Sequence, residues 1–375
     1  MKSCLEKITI DGFRAFEKLV IGGLGRVNLI TGKNNTGKSS VLEAFRILMS
    51  DASPSVLYNI LRYREEDVPE PDEVSAPSDT ESMFQLGTLF HGFPELLDNP
   101  APITISTNGG GRAMKIALSV GWYSEERGED GVRRFIAQEE DLFGDSGGIP
   151  AVVAETGGVK RVMPLENFRR YALRSRPFRP ESSEEPKMPC ISVSPYGGER
   201  TATLGSLWDR IALSDREKDV IEALGIIDPE ISAVSMVGGE SPRQKRTAIV
   251  RADNIGRPVP LRSFGDGLNR LFGIVLSLVN AKDGLLLIDE FENGMHHSVQ
   301  LDAWRVIFRL AEKLNIQVFA TSHSWDSIEA FQEAAAETPE DGVLVRLARK
   351  GESIVPTLFG EDELAVATRE GIEVR

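Results

Sequence analysis

The 375-residue sequence predicts an α/β fold with a buried parallel sheet, and three apolar runs with chemistry at their ends carry that expectation. VNLITG runs into GKNNTGKS (Gly32 to Ser39), LLLIDE ends at Asp289 and Glu290, and IQVFATS leads to His323. Each run is short and apolar without alternation, the pattern of a strand covered on both faces. A fourth motif, SFGDG (Ser263 to Gly267), opens an apolar helix shortly before LLLIDE.

Residues 4–31 read as two strands, LEKITIDGF and VNLITG. The helix after the glycine-rich loop carries Val41, Leu42, Phe45 and Leu48 at helical spacing. Residues 51–80, rich in Asp, Glu, Pro and Ser, read as an exposed excursion. ITIST, MKIALSVGWY, RRFIAQ and AVVAET, between 102 and 163, are β-like runs parted by glycine-rich turns. Residues 165–187 are Arg- and Pro-rich, then acidic, and predict irregular chain. Residues 188–250 predict a strand (CISVSP), one helical stretch (SLWDRIALSDREKDVIEALG) and a strand (RTAIV). LNRLFGIVLSLVN is apolar almost all round and predicts a buried helix. LDAWRVIFRLAEKL is amphipathic through Leu301, Trp304 and Phe308, and VLVRLARKGESIVPTLF reads as a closing hairpin. No internal repeat or sustained heptad pattern is present, which argues against a long coiled-coil arm.

Composition narrows the class. The length suits one large domain or two moderate ones, and no apolar run approaches the ~20 residues that span a bilayer. MKSCLEKITIDGF alternates polar and apolar residues, unlike a signal peptide. Cys4 and Cys190 are too few for a disulfide framework and sit in no metal-ligand spacing. A cytoplasmic protein is the expectation. The net charge of −14 disfavours a DNA-binding field over the whole surface but leaves room for a local groove. Arg169, Arg170, Arg174, Arg176 and Arg179, beside Phe168, Tyr171 and Phe178, suit either phosphate contact with base stacking or a solvated basic loop.

The small residues of GKNNTGKS let backbone N–H groups turn inward around phosphates at a helix N-terminus. Gly32, Lys33, Asn34, Asn35, Thr36, Gly37, Lys38, Ser39 and Ser40 form the expected ATP-binding stretch. Lys38 is expected to reach the β- and γ-phosphates, and the Ser39 hydroxyl to ligate Mg²⁺. Two carboxylates after four apolar residues must serve a purpose: Asp289 for the magnesium shell, Glu290 as general base. SFGDG is a second anion site, which makes sense if Ser263, Gly265 and Gly267 close over a γ-phosphate held by another subunit. His323 is placed to sense that phosphate from the neighbouring strand. His296 and His297 read as interface packing rather than metal ligands.

GKNNTGKSS, DGFRAF, SFGDGLNRLF, LLLIDEFENGMHH and FATSHS together resemble the ABC-type ATPases of the OLD group, relatives of RecF and SMC ATPases. The likeness covers about 1–50 and 255–330. It implies an α/β P-loop NTPase of the ABC-ATPase head type, a mixed sheet beside a parallel core with an inserted α+β region. The parts would be 1–164 (phosphate loop and β-rich lobe), 165–255 (insertion) and 256–375 (signature, Asp–Glu pair, switch His). Two further roles follow from resemblance alone: Arg14 near the nucleotide, and Gln85 as the glutamine-loop ligand of the metal. The signature departs from the usual LSGGQ form. OLD proteins carry a Toprim nuclease domain, and the chain after His323 is too short for one. The resemblance therefore implies the ATPase half of a split system: a self-associating scaffold for a separate effector, a Toprim-type nuclease in anti-phage defence. A RecF-like DNA-binding repair ATPase is the alternative.

Overall fold

The computed structural model describes residues 5–63, 86–96, 100–127, 133–138, 148–165, 188–195, 201–238, 246–338 and 341–370. The chain begins with β1 (Lys7–Phe13) and β2 (Phe16–Gly22), then β3 (Val27–Gly32), α1 (Lys38–Met49) and α2 (Pro54–Tyr63). There follow β4 (Ile103–Gly109), β5 (Arg112–Arg127), β6 (Arg133–Gln138), β7 (Ile149–Thr156) and β8 (Val159–Pro164). With β1 and β2 these build a sheet ordered β2-β1-β4-β5-β7-β8, β6 also pairing β5, and every pairing in it is antiparallel.

The rest of the chain supplies β9 (Cys190–Val193), α3 (Thr201–Asp209), α4 (Asp215–Ile227), β10 (Ile231–Val237), β11 (Thr247–Ala252) and β12 (Val259–Pro260). It continues with α5 (Asp266–Asn280), β13 (Leu285–Ile288), α6 (His297–Lys313), β14 (Gln317–Thr321) and α7 (Trp325–Ala336). It closes on β15 (Gly342–Lys350), β16 (Ser353–Phe359) and α8 (Glu361–Arg369). The core sheet is ordered β16-β15-β3-β14-β13-β9, parallel throughout except for the β15–β16 edge. β10, β11 and β12 form a small separate sheet.

Every residue of β3, β13 and β14 is buried, as their unbroken apolar runs predict. Alternation sorts their side chains between two cores. Leu286, Ile288, Val318 and Ala320 pack with α5, α6 and α7, where Trp304 stacks on Phe291 at 4.0 Å. Leu285, Leu287 and Phe319 pack with α1 and the antiparallel lobe, where Phe319 meets Phe45 at 4.2 Å. The helices that follow the phosphate loop (α1) and SFGDG (α5) therefore cover opposite faces of the core sheet.

Four elements differ from the sequence reading. Residues 4–31 hold three strands, because Gly12 and Arg14 take positive φ and turn the chain back into β2. The predicted single helix over 206–225 is two, α3 and α4, parted where Leu213 sits at φ 62° and is 99% exposed. Ser214 with Glu217 three residues on is a helix-start signature, and the Glu217 carboxylate accepts the Leu213 N–H at 2.7 Å. The excursion after residue 50 begins with α2, anchored by buried Leu57, Ile60 and Leu61. The strand CISV, within the segment assigned to an insertion, is an edge of the core sheet.

Two buried amides close the amino ends of the strands. Asn28 in β3 donates to the carbonyls of Gly25 (2.8 Å) and Val318 (3.1 Å) and accepts the Gly25 N–H. Gln317 in β14 accepts the Leu5 N–H at 2.9 Å and donates to the carbonyls of Leu5 (2.9 Å) and Gly25 (2.8 Å). Replacing Gln317 with Leu strands those backbone groups in a dry setting, at about 1–3 kcal/mol for each unsatisfied group. We expect Gln317→Leu to lower the urea midpoint by an amount equivalent to about 2–4 kcal/mol with an unchanged slope; an unchanged midpoint would contradict this role.

Candidate active site

The phosphate loop leaves β3 at Gly32 and enters α1 at Lys38, and its glycines are dictated by space as well as torsion. A side chain at Gly37 (φ 84°) would meet the Phe16 ring at 2.5 Å, and one at Gly32 would fall 2.4 Å from the Leu347 carbonyl oxygen. Asn35 takes φ 62°, a left-handed conformation that Asn tolerates. Thr36 Oγ1 donates to the Lys33 carbonyl at 2.8 Å and closes the loop. The first turn of α1 has no acidic residue and no side-chain cap, so its N–H groups are left for an anion.

Lys38 Nζ lies across the loop, donating to the carbonyls of Gly32 (2.7 Å) and Lys33 (3.1 Å). Partial burial pulls its pKa below the usual lysine value, opposed by the charges of Asp289, Glu290 and Glu292. A partly desolvated ammonium is suited to pair with a polyphosphate, and the three carboxylates near it suit a metal cation that accompanies the phosphates.

The Asp289 carboxylate stands at the end of β13. Its Oδ1 accepts from Ser39 Oγ at 3.0 Å and from Thr321 Oγ1 at 2.6 Å. Ser39 and Asp289, brought together from α1 and β13, present the hydroxyl and carboxylate oxygens that a small hard cation such as Mg²⁺ prefers, so the donor set fits that ion. Glu290 follows at φ 47°, a left-handed turn that directs the chain out of the strand. Its N–H donates to Thr321 Oγ1 at 2.8 Å, and its carboxylate accepts from Asn293 Nδ2. Behind the pair, buried Arg270 of α5 donates to the carbonyls of Ser194, Asp289 (3.2 Å) and Glu290 (3.4 Å).

His323 follows β14, the strand beside β13, as expected. It is half exposed, its Nδ1 lies 3.0 Å from the buried Glu292 carboxylate, and its N–H donates to the same oxygen at 2.9 Å. Ser263 and Gly265 are exposed at the start of α5, and Gly267 packs against Gly294 and Met295 in the loop after Glu290. In that loop His296 and His297 stack with ring centroids 4.0 Å apart. Arg14 is buried on the β1–β2 turn, its Nε 2.8 Å from Glu43 of α1, so it braces the phosphate-loop helix. Gln85 and the arginines at 169–179 lie outside the described residues.

Five contributors escape the motif reading. Thr321, Arg270, Asn293 and Glu292 each sit within or beside a motif; Thr321, Arg270 and Glu292 act through partners 19–32 residues away, while Asn293 reaches Glu290 across one turn of chain. Phe16 shapes the loop from β2, a strand the sequence reading did not separate.

Two family models match the chain: one described as "AAA ATPase domain" over residues 1–118, and one described as "AAA domain, putative AbiEii toxin, Type IV TA system" over residues 197–328. A Helicobacter pylori protein named ATP/GTP phosphatase is 24% identical over 375 residues, covering 96% of each chain. Among solved structures, an SMC head bound to the C-winged helix domain of ScpA aligns with a TM-score of 0.53 at 11% identity, over 96% of this chain and 99% of that one. The fold is that of a P-loop ABC-type ATPase head, and the chain is an ATPase. No helix among the described residues is long and apolar enough to cross a membrane.

Thr321→Val keeps the shape of the side chain and removes both the donor to Asp289 and the acceptor for Glu290. We expect ATP hydrolysis to fall about tenfold to a hundredfold with a native melting curve, as for other supports of a metal-ligating carboxylate. A wild-type rate would show that Thr321 does not orient the pair.

Proposed function

We propose that ATP joins two copies of this chain across composite sites and that hydrolysis releases them. The observation that carries this reading is the division of the motifs between the two faces of the core sheet. α1 and its phosphate loop cover one face, while α5, with exposed Ser263 and Gly265 at its start, covers the other. A second anion cradle turned to solvent has work to do when a second subunit brings its own γ-phosphate to it.

Within one chain, Lys38 and the loop N–H groups hold the phosphates, while Ser39 and Asp289 hold Mg²⁺. Bound there, the ion neutralises charge on the β- and γ-phosphates. Glu290 takes the proton of the attacking water as its oxygen bonds to the γ-phosphorus and the bond to the ADP oxygen breaks. Asn293 and Thr321 hold Glu290 in position. His323, released from Glu292, contacts the γ-phosphate when the partner's signature closes.

The associated heads scaffold a separate effector, a Toprim-type nuclease in an OLD-like system of defence against phage. The order of motifs and the acidic net charge of −14, which favours a protein partner over a non-specific DNA surface, support that assignment.

Lys38→Ala is expected to lose ATP binding in a calorimetric titration; retained affinity would remove the phosphate loop from the site. Glu290→Gln should bind ATP, lose at least about a hundredfold in turnover, and double in light-scattering mass on adding ATP–Mg²⁺. Adding Ser263→Arg to Glu290→Gln should keep that binding and abolish the mass increase. Association that survives Ser263→Arg would refute the composite site.

A further inference from the structure

Apart from the nucleotide site, the described residues line a half-open cavity of about 360 Å³ at the β9 edge of the core sheet. It lies where the two faces of the sheet meet: Arg46 and Met49 come from the last turns of α1, Ser277 from the last turns of α5, and Ser192 from β9. At about 1.5 Å per residue, Arg46 is ~12 Å along α1 from Lys38, and Ser277 is ~16 Å along α5 from Asp266. The cavity therefore sits at the far ends of the two helices whose first turns carry the phosphate loop and the signature.

Its lining has a definite chemistry. Arg46 and Arg210 contribute two cations, no acidic residue lines it, and neither arginine makes an ion pair among the described residues. Ser277 is 1% exposed, and its hydroxyl has no hydrogen-bond partner there, an unmet demand inside a folded core. Leu207, Met49 and Ile191 give the cavity an apolar wall. The Cys190 thiol in the same wall is pushed up to about 12 by burial, against the opposing pull of Arg46, so it stays neutral and contributes no negative charge. The volume is at the small end of the ~300–1,000 Å³ range of ligand pockets.

We propose that this cavity binds a small organic anion, a phosphate or carboxylate head on a compact apolar body. Arg46 and Arg210 hold the head, the Ser277 hydroxyl donates to it, and the body lies against Leu207 and Met49. The assignment stands apart from the function proposed above, because none of these residues belongs to the nucleotide site.

The test is calorimetric titration of the full chain with phenyl phosphate and, separately, benzoate, which share the apolar ring and differ in head group. Each is repeated in the presence of saturating ATP–Mg²⁺. Three variants accompany the wild type: Arg46→Gln with Arg210→Gln, Ser277→Ala, and Thr203→Trp, which fills the cavity from an exposed lining position on α3. The expected result is binding of at least one probe that persists with ATP present. Affinity should fall at least tenfold in the double arginine variant and in Thr203→Trp, and measurably in Ser277→Ala, with unchanged melting curves. Absence of binding by both probes at millimolar concentration overturns the proposal. So does binding that ATP displaces and the variants leave intact, since that places the probe in the phosphate loop.

Discussion

Asp289 receives hydrogen bonds from Ser39 and Thr321 on a single oxygen, and this junction holds together the carboxyl ends of three adjacent strands, β3, β14 and β13. A carboxylate at the end of a wholly buried strand is tolerable only where donors surround it. Here one donor comes with the phosphate-loop helix and the other with the strand that leads to His323. Arg270 supports the same strand end through the Asp289 and Glu290 carbonyls and ties it to the end of β9 through Ser194. The Asp289–Glu290 pair is thus held by contacts that also tie neighbouring strands of the sheet together.

The sheet has no solvent-facing side in its centre, and that divides labour. One core joins the phosphate-loop helix to the antiparallel lobe, so the ring of Phe16 can press on Gly37. The other joins α5 to α6 and α7 and carries the exposed signature. Arg270 crosses between these territories, reaching from the signature helix to the end of β13. A displacement of α5 by a neighbouring subunit is therefore felt at the backbone of Asp289 and Glu290 without passing through the nucleotide.

The central strands and the phosphate loop were legible because short, mostly apolar runs without alternation leave few alternatives: VNLITG, LLLI and QVFAT are all wholly buried. β2 was not, because FEKLVIG places charged and apolar residues together, and its pairing depends on the left-handed turn at Arg14. The α3–α4 break was signalled by Ser214 and Glu217, but the surrounding apolar spacing continues through it and masked the stop. The site's carboxylates could be read as strand ends. Their supports could not, since Thr321 and Arg270 are ordinary residues until the fold brings them near, and nothing in FENG marks Asn293 as the partner of Glu290 three residues before it.

The order of strands also sets a schedule for the growing polypeptide. Val27 pairs with Val318 on one side and Gly342 on the other, so the strand that delivers the phosphate loop has no neighbour in its sheet until the last part of the chain is made. At ~5–20 residues per second, that wait on a ribosome is on the order of tens of seconds. During it, β3 and the face of α1 that packs on Phe319 stay uncovered, while every strand pairing of the antiparallel lobe lies within residues 7–164. Nascent chains stopped short of β14 own a complete GKNNTGKS sequence but lack both sheet neighbours of β3, so the phosphate loop is written long before the sheet that positions it exists.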